Sequence, residues 1–148
     1  MKELQPNIID DLDHRVHLLI QNHGDAPGFP QMEAEGISQE KLDEFLFNYQ
    51  SILDSQGTLR TQLTIYGIIA LIPVFIASAF PEESLPMGNN FFFIALAMGV
   101  VLALLIRSIA TLIRQMKLTK LKRENPVMAQ YVDDVCAYGD SIKKTQQH

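Results

Sequence analysis

Residues 61–81 read TQLTIYGIIALIPVFIASAFP and contain no charged side chain. An uncharged, mostly apolar run of about 20 residues has the length that a helix needs to cross the hydrocarbon core of a bilayer. Each Leu, Ile, Val or Phe in it contributes about −0.3 to −0.6 kcal/mol to membrane insertion. We therefore predict a transmembrane helix at about 61–80.

A second apolar run, 91–113, reads FFFIALAMGVVLALLIRSIATLI and is uncharged as far as Ile106. The 16 residues that precede Arg107 would cover only about 24 Å, so this helix must continue through Arg107 to cross a core about 30 Å thick. The connector, 81–90, is too short for a domain and turns the chain back. The expected fold class is all-α: an integral membrane protein with a two-helix transmembrane hairpin and amphipathic cytosolic helices at both ends.

Charge is segregated along the chain. Residues 1–60 carry four basic and eleven acidic side chains, whereas 107–124 carry six basic and one acidic. The positive-inside rule places both termini in the cytoplasm and the connector outside. Three regions follow: a cytosolic acidic helical segment at 1–60, the hairpin at 61–113, and a cytosolic region at 114–148. In the last region we expect a basic helix extension to about Glu124, an amphipathic helix that Gly139 ends, and a frayed tail.

The basic side chains at this end of the second span are predicted to hold anionic lipid headgroups, with pairing to the acidic segment 1–60 as an additional role. They are Arg107, Arg114, Lys117, Lys120, Lys122 and Arg123. Arg107 lies deepest, and two interpretations stay open for it: a snorkelling anchor, or a gating or ligand-binding residue. No aromatic platform accompanies these charges, so we do not expect nucleic acid as a partner.

Small residues recur on one face of each span. On the first span they include Gly67, Ala70 and Ala77, and on the second Ala95, Gly99 and Ala103. Such stripes let two helix backbones approach closely, so we expect them to face each other or a second copy of the protein. Pro73 lies within the first span, where it predicts a kink that is either structural or a hinge.

The N-terminal segment predicts two helices separated by a loop at 25–36. The first, at 7–22, is amphipathic and is followed by Gly24. The second begins after the N-cap Ser38 and is expected to run unbroken from 39 to 79. Its apolar residues recur at heptad spacing and define an interaction seam of Leu42, Phe45, Tyr49, Ile52 and Leu59. This seam either binds a partner or covers the first helix of the same chain.

Few residues form patterns typical of metal binding, disulfide formation or catalysis. The pairs Asp10/His14 and Asp13/His17 have the spacing of metal ligands on a helix, but nothing elsewhere completes a site, and an exposed polar face explains them. A single cysteine, Cys136, excludes an internal disulfide. No phosphate loop or nucleophile motif occurs. We expect no cofactor, no metal and no enzymatic activity.

Two functions are compatible with these features. The first is a non-enzymatic membrane protein that anchors a cytosolic helical module for self-association or for binding a protein partner. The alternative is an oligomeric pore or a membrane-disrupting effector, suggested by Pro73, the small-residue stripes and Arg107. Because no secretory signal is visible, the expected location is a bacterial inner membrane.

Overall fold

The computed structural model describes residues 11–147, apart from the side chain of Asn89. Over this range the chain is all-helical and has no strand, as predicted. The helices are α1 (Leu12–His23), α2 (Gln39–Asp54), α3 (Leu59–Ser78), α4 (Phe91–Glu124) and α5 (Pro126–Gln146). Short 3-10 turns occupy Glu33–Glu35, Glu82–Ser84 and Gly88–Asn90. Positions 7–10 of the predicted first helix lie outside the described residues, and so does Asp10 of the pair Asp10/His14.

A polar side chain caps the start of α1. The carboxylate of Asp11 accepts hydrogen bonds from the backbone N–H groups of Asp13, at 3.0 Å, and His14, at 3.4 Å. These bonds satisfy two of the donors that a helix leaves free in its first turn. Gly24 follows the last helical residue, His23, as the sequence predicts.

The prediction of one unbroken helix from 39 to 79 is wrong. α2 ends at Asp54 and α3 begins at Leu59. Gly57, between them, has φ +70°, a left-handed conformation that glycine adopts without steric cost. Thr58 is then extended, and its hydroxyl accepts the N–H of Thr61 as the N-cap of α3. The heptad seam is therefore interrupted between Ile52 and Leu59.

The chain forms two compact units. Of the described residues, 11–53 and 117–147 belong to the terminal unit, and 54–116 belong to the hairpin unit. Side chains of α1, α2 and α5 and one residue of the 25–36 loop form the core of the terminal unit: Val16, Phe29, Leu42, Phe45, Leu46, Ala129, Tyr131, Val132 and Val135. Each large apolar side chain buried in this way stabilises the fold by about 1.5–3 kcal/mol.

α5 differs from its predicted form at both ends. Pro126 occupies its first turn as expected, but the amide of Asn125 donates to the Leu121 carbonyl and does not cap the helix. Gly139 does not end the helix, which runs on to Gln146. A Cβ at Gly139 would lie 2.7 Å from Leu19, so this glycine allows close packing of α5 on α1. Directly after this glycine, Asp140 forms an ion pair with Arg15 of α1.

The hairpin unit contains α3, the connector and the first part of α4. Two stretches of the described chain are long and apolar enough to span a membrane, Gln39–Ser78 and Phe91–Glu124. Because the first is broken at 55–58, its apolar part is α3, which has 20 residues. Only 6% and 17% of the two apolar windows are buried, whereas a core helix of a soluble protein is mostly buried.

Candidate functional site

Helices α3 and α4 meet along small residues. Those that the structure buries are Ala77, Ala95, Gly99 and Ala103. A Cβ at Gly99 would lie 2.7 Å from the carbonyl carbon of Ala70 and closer still to its oxygen. The two backbones therefore approach as closely as only glycine permits. Gly67 is exposed and has open space at its Cβ position, so it takes no part in this contact.

Pro73 lies inside α3, which continues as one helix from Leu59 to Ser78. It is half-buried and lines an apolar groove of about 520 Å³ between the C-terminal half of α3, the connector and the start of α4. Ala77, Phe91 and Ala95 also line this groove. The lining places the end of α3 beside the beginning of α4, so the two helices are antiparallel. A hinge at Pro73 stays a prediction.

Three hydroxyl groups on the two apolar helices bond to backbone carbonyl groups of their own helix. Thr64 donates to the Arg60 carbonyl at 3.0 Å, and Ser108 to the Leu104 carbonyl at 2.9 Å. Ser78 donates to the carbonyl three residues before it. A hydroxyl satisfied within its own helix needs no water, and such a helix surface is compatible with lipid.

The predicted lipid-binding side chains differ in exposure. Arg107, Lys117, Lys120 and Arg123 are exposed. Lys120 lies 3.9 Å from Glu124, a surface pair that contributes little to stability. Arg114 is half-buried, and its Nε atom is buried without a hydrogen-bond partner among the described residues.

Lys122 belongs to a polar cluster of the terminal unit. Its ammonium donates to both carboxylate oxygens of Asp133 at 3.3 Å and lies 5.6 Å from the centre of the Tyr49 ring. Burial acts to lower the pKa of Lys122, but Tyr49 and the Asp133 carboxylate outweigh it, and the pKa is raised. This partner comes from α5, whereas the sequence suggested the acidic segment 1–60.

The residues of the predicted interaction seam have different environments. Leu42 and Phe45 are 0% and 2% exposed and belong to the core of the terminal unit. Tyr49 packs against that core, and Ile52 is half-buried. Leu59 stands on α3 and is 66% exposed. The first two positions are therefore occupied by the chain's own core, which is one of the two interpretations that the heptad spacing left open.

His17 joins α1 to α2. Its Nε2 lies 2.9 Å from the Asp43 carboxylate, and its Nδ1 lies 2.8 Å from the Asp13 carbonyl oxygen. Burial acts to lower the pKa of His17, but the hydrogen bonds and charges of Asp13 and Asp43 outweigh it, so the pKa is raised. The Asp13/His17 pair therefore lies within α1, and it is Asp43 that connects His17 to α2, whereas His14 is exposed.

Cys136 is a half-buried free thiol on α5. Burial raises its pKa, an effect that the nearby Arg15 opposes. A thiol with a raised pKa is mostly protonated at neutral pH and is a poor nucleophile.

Within residues 11–147, no three His, Cys, Asp or Glu side chains come together in a group that could hold a metal ion. Comparisons of the chain with protein-family models, with curated proteins and with solved structures gave no match. The fold and its surfaces are therefore the basis for inferring function: an all-helical chain in which two helices are long and apolar enough to span a membrane.

Proposed function

We propose that this chain is a two-span membrane protein whose hairpin anchors a helical module for self-association or for binding a protein partner. The observation that carries the proposal is the surface of the hairpin unit. All but three of the exposed large apolar side chains found in the described residues lie between Leu59 and Met116. The exceptions are Leu18, Phe47 and Val127. An exposed apolar surface of this extent marks contact with a membrane or another protein.

Lipid is the better match for this surface. α3 has 20 residues and is therefore about 30 Å long, the thickness of a hydrocarbon core. Most of the large apolar side chains of α3, and of α4 as far as Met116, are exposed, and the residues that these two helices fully bury are small. Hydroxyl groups that bond to their own helix favour lipid over a water-filled path beside it.

The proposed orientation follows from the basic residues at one end of α4. Arg107, Arg114 and Lys117 lie at that end, whereas the connector at 81–90 has no Lys or Arg. The positive-inside rule then places both termini in the cytoplasm, and a bacterial inner membrane is the proposed location.

The terminal unit is proposed as the functional module because it has its own core and exposes few apolar side chains. Phe47, on α2, is 71% exposed and is the largest of these. An aromatic side chain is a frequent anchor of protein interfaces. The absence of catalytic motifs from the sequence favours a binding role over an enzymatic one.

Photo-crosslinking of the full chain in native membranes tests this function. A photoreactive phenylalanine analogue replaces Phe47 in one variant and, as the matched control, Phe93 of α4, which is 74% exposed. We expect protein adducts from position 47, to a second copy or to a partner, and lipid adducts from position 93. If position 47 gives neither kind of protein adduct while position 93 labels lipid, the binding role is abandoned and only the membrane hairpin remains.

A further inference from the structure

Two side chains of the hairpin unit bury hydrogen-bond donors for which the described protein offers no acceptor. They are the amide Nε2 of Gln56 and the guanidinium Nε of Arg114. Buried donors are nearly always paired in folded proteins, because an unpaired one loses its bond to water and gains nothing in return. No residue of the described chain supplies an acceptor for either donor.

The antiparallel packing places these two residues at the same end of the hairpin. Gly99 of α4 lies against Ala70 of α3. In an antiparallel pair, each step toward the end of α4 corresponds to a step toward the start of α3, so Leu59, the first residue of α3, is level with about Ala110. Arg114 lies about one turn beyond that level on α4. Gln56 precedes Leu59 by three residues of the link between α2 and α3, so its backbone lies within about 10 Å of Leu59.

The depth of this level suggests the chemistry of the acceptor. If α3 spans the hydrocarbon core, the matching part of α4 runs from Phe91 to about Ala110. Arg114 is then about 6 Å past the core, within the headgroup layer that extends about 5–7 Å beyond it on each side. Arg107 lies within the core by the same count, and its exposed side chain is free to snorkel outward.

We propose that Gln56 and Arg114 form a binding site for a phosphate group, supplied by an anionic lipid headgroup or by free phosphate. A guanidinium presents several N–H groups in a planar fork that matches phosphate oxygens. The amide of Gln56, just before α3, adds a neutral donor. This site rests on the proposed membrane function, because the depth argument requires that α3 spans the bilayer. It gives Arg114 a role different from that of the exposed basic residues on α4.

Native mass spectrometry of the full chain, released from micelles, tests the site. The probes are phosphatidylglycerol, phosphatidylcholine and inorganic phosphate. The variants R114Q and Q56L remove one donor group each, and R60Q and Q115L are matched controls at exposed positions. We expect R114Q and Q56L each to weaken binding of the phosphate-bearing probe about tenfold, the loss typical of a charge-assisted hydrogen bond, and the controls to weaken it less than twofold.

A second readout separates loss of binding from loss of folding. In phosphate-free detergent, Q56L removes an unpaired buried donor, so we expect its melting temperature to equal or exceed that of the parent chain. The rise in melting temperature that phosphatidylglycerol or phosphate gives the parent should be absent in Q56L. A rise with phosphatidylglycerol alone identifies a lipid headgroup, and a rise with inorganic phosphate identifies a soluble ligand.

Two negative results have different meanings. If the chain stays in alkali-washed membranes but R114Q and R60Q lose the probe to the same extent, binding is general attraction between charges and the site is wrong. If alkaline carbonate releases the parent chain from the membrane, the proposed membrane function fails and this site fails with it.

Discussion

Replacing Gly99 by alanine should open the contact between α3 and α4. The added Cβ would lie 2.7 Å from the carbonyl carbon of Ala70, whereas carbon atoms in favourable contact are about 3.5–4.0 Å apart. The obstructing group is backbone, so no side-chain rotation relieves the overlap and the helices must separate by about 1 Å or more. Overpacking of this kind typically costs about 1–3 kcal/mol.

A cysteine at position 77 can report this opening. Ala77 is 3% exposed and borders the apolar groove, which leaves room for a sulfur atom. In a background with Cys136→Ser, the rate at which a small maleimide labels Ala77→Cys in mild detergent measures how often the helices separate. A destabilisation of about 1–3 kcal/mol makes labelling about 5- to 150-fold faster in Gly99→Ala.

The matched control is Gly67→Ala, which makes the same chemical change in α3 where nothing lies within 4 Å of the new methyl group. Alanine favours a helix over glycine by up to about 1 kcal/mol, so labelling at position 77 should be unchanged or slower. If Gly99→Ala and Gly67→Ala label at the same rate, the close approach of Gly99 to Ala70 does not hold the hairpin together.

Three further predictions concern the terminal unit. Leu46→Ala, at a position with 0% exposure, should lower the free energy of unfolding by about 2–5 kcal/mol in denaturant titrations, whereas Phe47→Ala should change it by no more than about 0.5 kcal/mol; equal effects would refute the assigned core. His17 has a raised folded pKa, so its stabilising contribution is complete below the unfolded value of 6.5 and is lost as the pH rises through the folded pKa. The melting temperature should fall over that range, and His17→Gln should remove this part of the dependence; an unchanged pH profile would contradict the contact with Asp43. Burial raises the pKa of Cys136, so iodoacetamide should alkylate it at pH 7 more slowly than free cysteine until denaturant is added, and equal rates would show that the thiol is not buried.

The sequence predicted helix positions best where a single physical requirement decides the local structure. A long uncharged apolar run allows few structures, and α3 and α4 lie where that requirement places them. Asn125-Pro126 correctly marked the boundary between α4 and α5, because proline fits the first turn of a helix and not its interior.

Two of the errors came from glycines, whose role depends on backbone conformation and on distant neighbours. The heptad spacing of apolar residues continues on both sides of Gly57, so it predicted one helix. This glycine adopts a left-handed conformation and breaks the helix. Gly139 resembles a helix stop in the sequence, but the side chain of Leu19 on another helix explains it. No local pattern contains that information.

The proposed site at Gln56 and Arg114 was only partly visible in the sequence. Arg114 was one of six basic residues, and nothing in the sequence distinguished it from the other five. Gln56 was a polar interruption of the apolar seam. Both side chains bury a donor that has no acceptor among the described residues, and this depends on the packing around each atom. The heptad spacing likewise predicted that Leu42 and Phe45 are buried, but it did not show which helices cover them.

The most direct test of the account is the accessibility of single cysteines to thiol reagents in intact cells, in a Cys136→Ser background. The three positions are Ser84 in the connector, Leu104 in α4 and Ser141 in α5, and the protein itself leaves all of them exposed. A membrane-spanning hairpin predicts that an impermeant reagent labels Ser84→Cys at once, labels Ser141→Cys only after permeabilisation, and labels Leu104→Cys under neither condition, because lipid surrounds it. Labelling of Leu104→Cys as fast as Ser141→Cys in permeabilised cells would mean that water reaches α4 and that the hairpin does not span a membrane.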